Sequence, residues 1–188
     1  MLAITVTGSA NLTGSQVIPS VATTAAGIMS LTVDTETGLA DVTGNIFGLR
    51  LTDITFPAGT GLEFGAFGPF HIHNAPAGVN GPIVVPSLNM ASFYSVALVN
   101  TGGSSSGYGG GGVVLAVVVS ALGVPFPVEF IDELLAGNLY FNLHTLANGG
   151  GEIRGQISAV PEPGTGLLMA MGLSILGMRG GRRIRSGA

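Results

Sequence analysis

The sequence predicts an all-β protein: an antiparallel, Greek-key-like β-sandwich with one short helix, followed by a separate apolar helix at the C-terminus. Three observations carry that expectation. Glycine and proline supply 32 and 10 of the 188 residues without a collagen-like period, and a helical bundle tolerates such a load poorly because an interior glycine costs about 1 kcal/mol. Apolar residues recur at every second position in short runs bounded by turn-forming residues. Charged residues make up only 9% and hydrophobic residues 46%, with a mean hydropathy of +0.60, a balance that excludes charge-driven disorder.

The elements follow in order. Ile4 and Val6 alternate with Thr5 and Thr7 in a first strand. Met29, Leu31 and Val33 form the next apolar face, and after Asp34-Thr35-Glu36-Thr37-Gly38 a second run places Ala40, Val42 and Ile46 on one side, which defines a hairpin. Asp34, Glu36 and Asp41 lack the spacing of a calcium loop and read as a solvated turn. Further strands are expected around 52–56, 67–73, 91–99, 113–120, 138–144 and 151–158, with Val113 to Val119 apolar enough for burial on both faces. Gly102 to Gly112 is a glycine-serine loop without the Gly-Lys-Ser/Thr ending of a phosphate cradle. Between Pro127 and Gly137, Phe130, Ile131, Leu134 and Leu135 fall on one helical face and Glu129, Asp132 and Glu133 on the other, so one short helix is expected there.

Composition removes whole classes of chemistry. All six basic residues are arginine, so there is no Schiff-base or phosphate-loop lysine. Without cysteine there are no thiol nucleophiles, disulfides or cysteine-ligated metals. Three tyrosines, no tryptophan and a net charge of −4 argue against nucleic-acid binding.

The charge is divided at Pro161. Residues 1–160 carry two arginines against nine acids, whereas residues 161–188 carry four arginines against Glu162 alone. The tail reads as Pro161-Glu162-Pro163, then an apolar stretch from Gly164 to Met178, then Arg179, Arg182, Arg183 and Arg185. Arginines just past an apolar segment mark the cytoplasmic side of a membrane, which places the preceding domain outside. At 1.5 Å per residue the stretch spans roughly 22 Å, short for a full crossing and suited to a transient anchor. The alternative is a buried C-terminal helix of the same domain.

This order of elements resembles the PEP-CTERM sorting signal of exopolysaccharide-producing Gram-negative bacteria. The resemblance implies export, recognition by an exosortase membrane protease and removal of the tail near Pro161-Glu162-Pro163. Such proteins also carry an N-terminal signal peptide, yet Met1 to Ala10 has neither a basic nor an extended apolar region, so the leader is expected to be missing from this chain.

The three histidines are the most informative residues of the body. In Phe70-His71-Ile72-His73 the strand period sends both imidazoles to one face, with Phe70 and Ile72 on the other. His144 follows Leu139-Tyr140-Phe141-Asn142-Leu143 and shares a face with Tyr140 and Asn142. Two readings compete: a copper or zinc site made by His71, His73 and His144, or imidazoles that hydrogen-bond the Asn74–Pro82 and Ala147–Gly151 loops to the sheet. A His-x-His pair on a sandwich strand is similar to the copper ligands of copper-zinc superoxide dismutase, but a two-metal centre needs more histidines than these. Glu152 and Arg154 are spaced to share a strand face. Arg154 either pairs with Glu152 or another acid to staple strands, or binds an anionic group.

Three blocks complete the picture: Gly14-Ser15-Gln16-Val17-Ile18-Pro19, His71 through Val84, and Gly137 through Thr145 running on to Gly150-Gly151-Glu152-Ile153-Arg154-Gly155-Gln156-Ile157. In this order they resemble the CHRD domain, first recognised in chordin and widespread in exported bacterial proteins. The resemblance implies an extracellular β-sandwich module and supplies no catalytic residue. The expectation is a CHRD-type sandwich over 1–160 and a sorting tail over 161–188. The protein would be a non-catalytic surface or matrix protein without a cofactor, sorted by exosortase through transient inner-membrane anchoring, with an exopolysaccharide or a surface protein as its partner. The alternative is a copper- or zinc-binding sandwich with redox activity.

Overall fold

Period-two patterning becomes ten strands in the computed structural model, which describes residues 5–49, 69–85, 95–99 and 114–161. The strands are β1 (Thr5–Thr13), β2 (Ala26–Asp34), β3 (Leu39–Phe47), β4 (Phe70–Asn74), β5 (Ile83–Val85), β6 (Ser95–Val99), β7 (Val114–Pro125), β8 (Leu139–Leu143), β9 (Ile153–Gln156) and β10 (Ser158–Pro161). They form one antiparallel sheet in the order β5-β4-β8-β9-β1-β2-β3-β7-β6, with β10 also paired to β1. The long returns from β3 to β7 and from β4 to β8 match the antiparallel, non-sequential topology expected.

The β2–β3 hairpin shows how local chemistry fixes register. Gly38 takes a positive φ of 67° and donates its N–H to the Asp34 carbonyl, while Asp34 Oδ1 accepts from the N–H groups of Glu36 and Thr37 at 2.8 and 3.1 Å. These bonds hold the Asp34 carboxyl below the usual carboxylate range. Asp41 also serves the backbone, its Oδ1 accepting from Gly123 N–H at 2.8 Å. The resulting register pairs Leu31 with Val42 and Val33 with Ala40, and buries all four.

Alternate side chains of both halves of the sheet join one apolar cluster. Leu12, Met29, Leu31, Val42 and Ile46 belong to it together with Phe70, Ile72, Phe141, Leu143 and Ile153, so the sheet closes over its own core. Phe70 and Phe141 stack within it at 5.4 Å. Burying each such side chain contributes about 1.5–3 kcal/mol, and no disulfide assists.

One expectation about these elements needs correction. The predicted helix forms as a 3-10 turn over Val128–Phe130 leading into α1 (Ile131–Leu135), but of its apolar face only Leu134 is fully buried, and Leu135 is 38% exposed because five residues make too short a helix to lay a whole stripe on the sheet. In β7, Val119 and Ala121 are buried while Leu122 is 69% exposed, so the strand alternates beyond the Val113–Val119 run, most of whose side chains lie outside the described residues. The expected strand at 52–56, the glycine-serine loop, the apolar stretch 164–178 and the tail arginines lie outside the described residues. Among the described residues no helix is long and apolar enough to cross a membrane.

Candidate functional site

Strands β4 and β8 are covered on both faces, and this creates the site. Their Phe70, Ile72, Leu139, Phe141 and Leu143 face the core, while His71, His73, Tyr140 and Asn142 lie buried on the opposite side. Two glycine-rich connections hydrogen-bond to that polar side, one running from β4 to β5 and the other from β8 to β9.

The structure brings His71, His73 and His144 together, as the strand periods imply. Each offers a nitrogen within 4.8 Å of the others, and all three rings are buried. Ring centroids lie 4.9 Å apart for His71 and His144, 5.6 Å for His71 and His73, and 6.1 Å for His73 and His144. His144 stands one residue beyond β8, and its N–H extends the ladder by donating to the Pro69 carbonyl at 2.7 Å.

Hydrogen bonds to the loops set the tautomers. His73 Nδ1 is 2.9 Å from the Gly81 carbonyl and His144 Nδ1 is 2.9 Å from the Gly149 carbonyl; a carbonyl only accepts, so both Nδ1 atoms carry the proton and both Nε2 atoms present a lone pair. His144 Nε2 receives the Asn142 amide at 3.2 Å, whereas buried His73 Nε2 has no hydrogen-bond partner among the described residues. Burial pushes both rings below the ordinary histidine range, His144 to about 4, with its carbonyl bond opposing and His73 assisting that shift. The Arg154 charge adds to the lowering at His73. Both rings are therefore neutral at pH 7.

Arg154 acts on the same loop from beneath. Its side chain is 2% exposed, and its guanidinium carbon lies 3.4 Å from the centre of the Tyr140 ring. Nη1 donates to the Val79 carbonyl at 2.9 Å and to Asn80 Oδ1 at 3.4 Å; Nη2 donates to the Pro76 carbonyl at 3.3 Å and to Gln156 Oε1 at 3.2 Å. Glu152 stands just before β9 and does not pair with it. Its carboxylate accepts from Thr145 Oγ1 at 2.9 Å and from Asn148 Nδ2, and it lines a cavity of about 650 Å³ with Thr23, Thr24 and Leu49. The expected Glu152–Arg154 staple is thus replaced by two separate loop clamps, because β9 begins at Ile153 and the two side chains serve different loops.

Sequence reasoning missed Gln156 and the role of Tyr140. Gln156 Nε2 donates to the carbonyls of Ala75 and Gly137 at 2.9 and 2.8 Å, and its N–H donates to Gln16 Oε1, which joins the first sequence block to the third. The i, i+2 spacing of Arg154 and Gln156 was the available signal. Tyr140 Oη accepts the Gly81 N–H at 3.0 Å. Of the tail residues, Pro161 closes β10 opposite Val6, while Glu162, Pro163, Arg179, Arg182, Arg183 and Arg185 lie outside the described residues.

A wholly antiparallel β module whose loops are tied down by buried polar side chains is the class that fold and site define. A family model described as the CHRD domain matches residues 8–157, most of the chain, and the protein belongs to the CHRD domain family. A second model, the PEP-CTERM protein-sorting motif, matches residues 159–185 and marks the protein for export, surface sorting and recognition by exosortase. No curated protein matches the chain, and no solved structure does.

Proposed function

We propose that this is a non-catalytic module of the cell surface or extracellular matrix, comprising a CHRD domain over residues 1–160 and a sorting tail over residues 161–188. The observation that carries this reading is the use made of the polar side chains in the family blocks. Arg154, Gln156, His73 and His144 are turned onto carbonyls of their own loops, and Glu152 onto Thr145 and Asn148, as suits a rigid presenting surface. The tail would hold the chain transiently at the inner membrane, with Pro161, Glu162 and Pro163 as the recognition motif and the four arginines as the cytoplasmic flank. The partner would be an exopolysaccharide or another surface protein.

Expression of the full chain in a host that carries an exosortase tests the reading. Wild type should yield a shortened mature species outside the inner membrane, and Glu162→Ala should accumulate at precursor mass with its fold intact. A mature mass unaltered by Glu162→Ala would overturn the sorting assignment.

A further inference from the structure

A latch accounts for only part of the histidine cluster. Loop fixation uses one nitrogen of His73 and one of His144, both Nδ1. It does not call for three imidazoles with ligand atoms within 4.8 Å of one another, nor for a buried lone pair on His73 Nε2 that has no hydrogen-bond partner among the described residues. A lone pair buried in this way loses its water on folding, and native proteins rarely leave one without a partner.

We propose that His71, His73 and His144 form a three-imidazole centre for one transition-metal ion, zinc or copper, whose role is to bind the two loops to each other through the sheet. The donor set is all nitrogen and uncharged, which suits zinc and copper and disfavours calcium or magnesium, both of which require oxygen ligands. The supporting shell is in place. The Gly81 and Gly149 carbonyls orient His73 and His144 through Nδ1 and direct Nε2 to the centre, the arrangement by which second-shell acceptors fix metal-bound histidines. Gly81 is itself held at its N–H by Tyr140 Oη. The ligands come from two adjacent strands, His71 and His73 from β4 and His144 from the end of β8, so the frame is rigid. At His144 the ion would replace the Asn142 amide on Nε2. This proposal is independent of the sorting assignment.

The test uses the full chain, stripped with chelator and then titrated separately with zinc and with copper(II). Expected are one ion bound per chain and, at about a hundred times the dissociation constant, a rise in unfolding midpoint of roughly 5–10 °C. Copper-loaded protein should show nitrogen hyperfine structure in its electron paramagnetic resonance spectrum. His71→Gln, His73→Gln and His144→Gln should each abolish the increment. Should these variants fail to fold, the wild-type stoichiometry and spectrum still decide the matter. Two results overturn the proposal: stripped wild type that takes up neither ion at micromolar concentration, or a folded His73→Gln that binds as wild type does.

Discussion

His73 and Tyr140 face each other directly across the β4–β8 ladder and stack with ring centroids 4.9 Å apart and planes 11° from parallel. The same two side chains also hold one glycine between them. Tyr140 Oη accepts the Gly81 N–H, and the Gly81 carbonyl accepts from His73 Nδ1. With the Arg154 guanidinium over the Tyr140 ring, a continuous stack joins β9, β8 and β4 and fixes both ends of the 76–81 segment.

Arg154→Lys is expected to destabilise the protein by roughly 2 kcal/mol although the charge is kept, because an ammonium cannot reach the Val79 and Pro76 carbonyls while also covering Tyr140. Tyr140→Phe should cost about 1 kcal/mol through the abandoned Gly81 N–H. Urea unfolding measures both. An unchanged midpoint for Arg154→Lys would show that the loop is held by other means.

Two glycines of the same loop should respond differently to alanine. A Cβ at Gly81 would overlap the Asn74 carbonyl, which is backbone and cannot swing aside, so Gly81→Ala should cost more than about 3 kcal/mol or prevent folding. Gly78 has a positive φ of 84° but open space around it, so Gly78→Ala should cost only about 1 kcal/mol. Equal effects would contradict the close approach at Gly81.

Acid should weaken the metal-free fold before its carboxylates protonate. His144 is held at about 4 in the folded state against 6.5 when exposed, so the unfolded chain binds the extra proton first. The His144 contribution is then level above pH 6.5, falls as the pH drops towards about 4, and levels again below that, with a loss of roughly 3 kcal/mol at about 1.4 kcal/mol per pH unit. His73 acts in the same direction. Denaturant midpoints from pH 8 to 4 should show this slope, and His144→Gln should flatten it. A wild-type midpoint constant down to pH 4.5 would refute it.

Truncation should distinguish the tail from the last strand. Ending the chain after Pro161 should leave the unfolding midpoint almost unchanged, whereas ending it after Ile157 removes β10 from β1 and should lower the midpoint by several degrees. Equal midpoints for the two truncations would show that β10 adds nothing.

What could be read in advance was whatever depends on neighbours in sequence. The hairpin of β2 and β3 was legible from alternation and the Asp34–Gly38 turn, and the shared face of His71 and His73 from their spacing. That His144 joins them required only that β4 and β8 be adjacent. The partners of Arg154 were not legible, since Pro76 and Val79 lie far away in sequence and contribute backbone carbonyls, which carry no side-chain signature. Charge suggested Glu152 as its partner; geometry sends that carboxylate to Thr145 and Asn148 instead. The extent of β10 was hidden for a related reason. A composition change at Pro161 signals where the tail begins but not that Ser158–Pro161 forms hydrogen bonds with β1.

That last pairing decides how the module would bear a mechanical load. Val6 lies opposite Pro161, and β1 is also bonded along its whole length to β2. Tension arriving through the chain beyond Pro161 would therefore be delivered to an interior strand rather than to an edge. Pulled away from the sheet, β10 would open one pair at a time from Val6 towards Ser9 and yield at low force; pulled along the strand, all four pairs would resist together. The direction of the tether would thus set whether the domain gives way or holds.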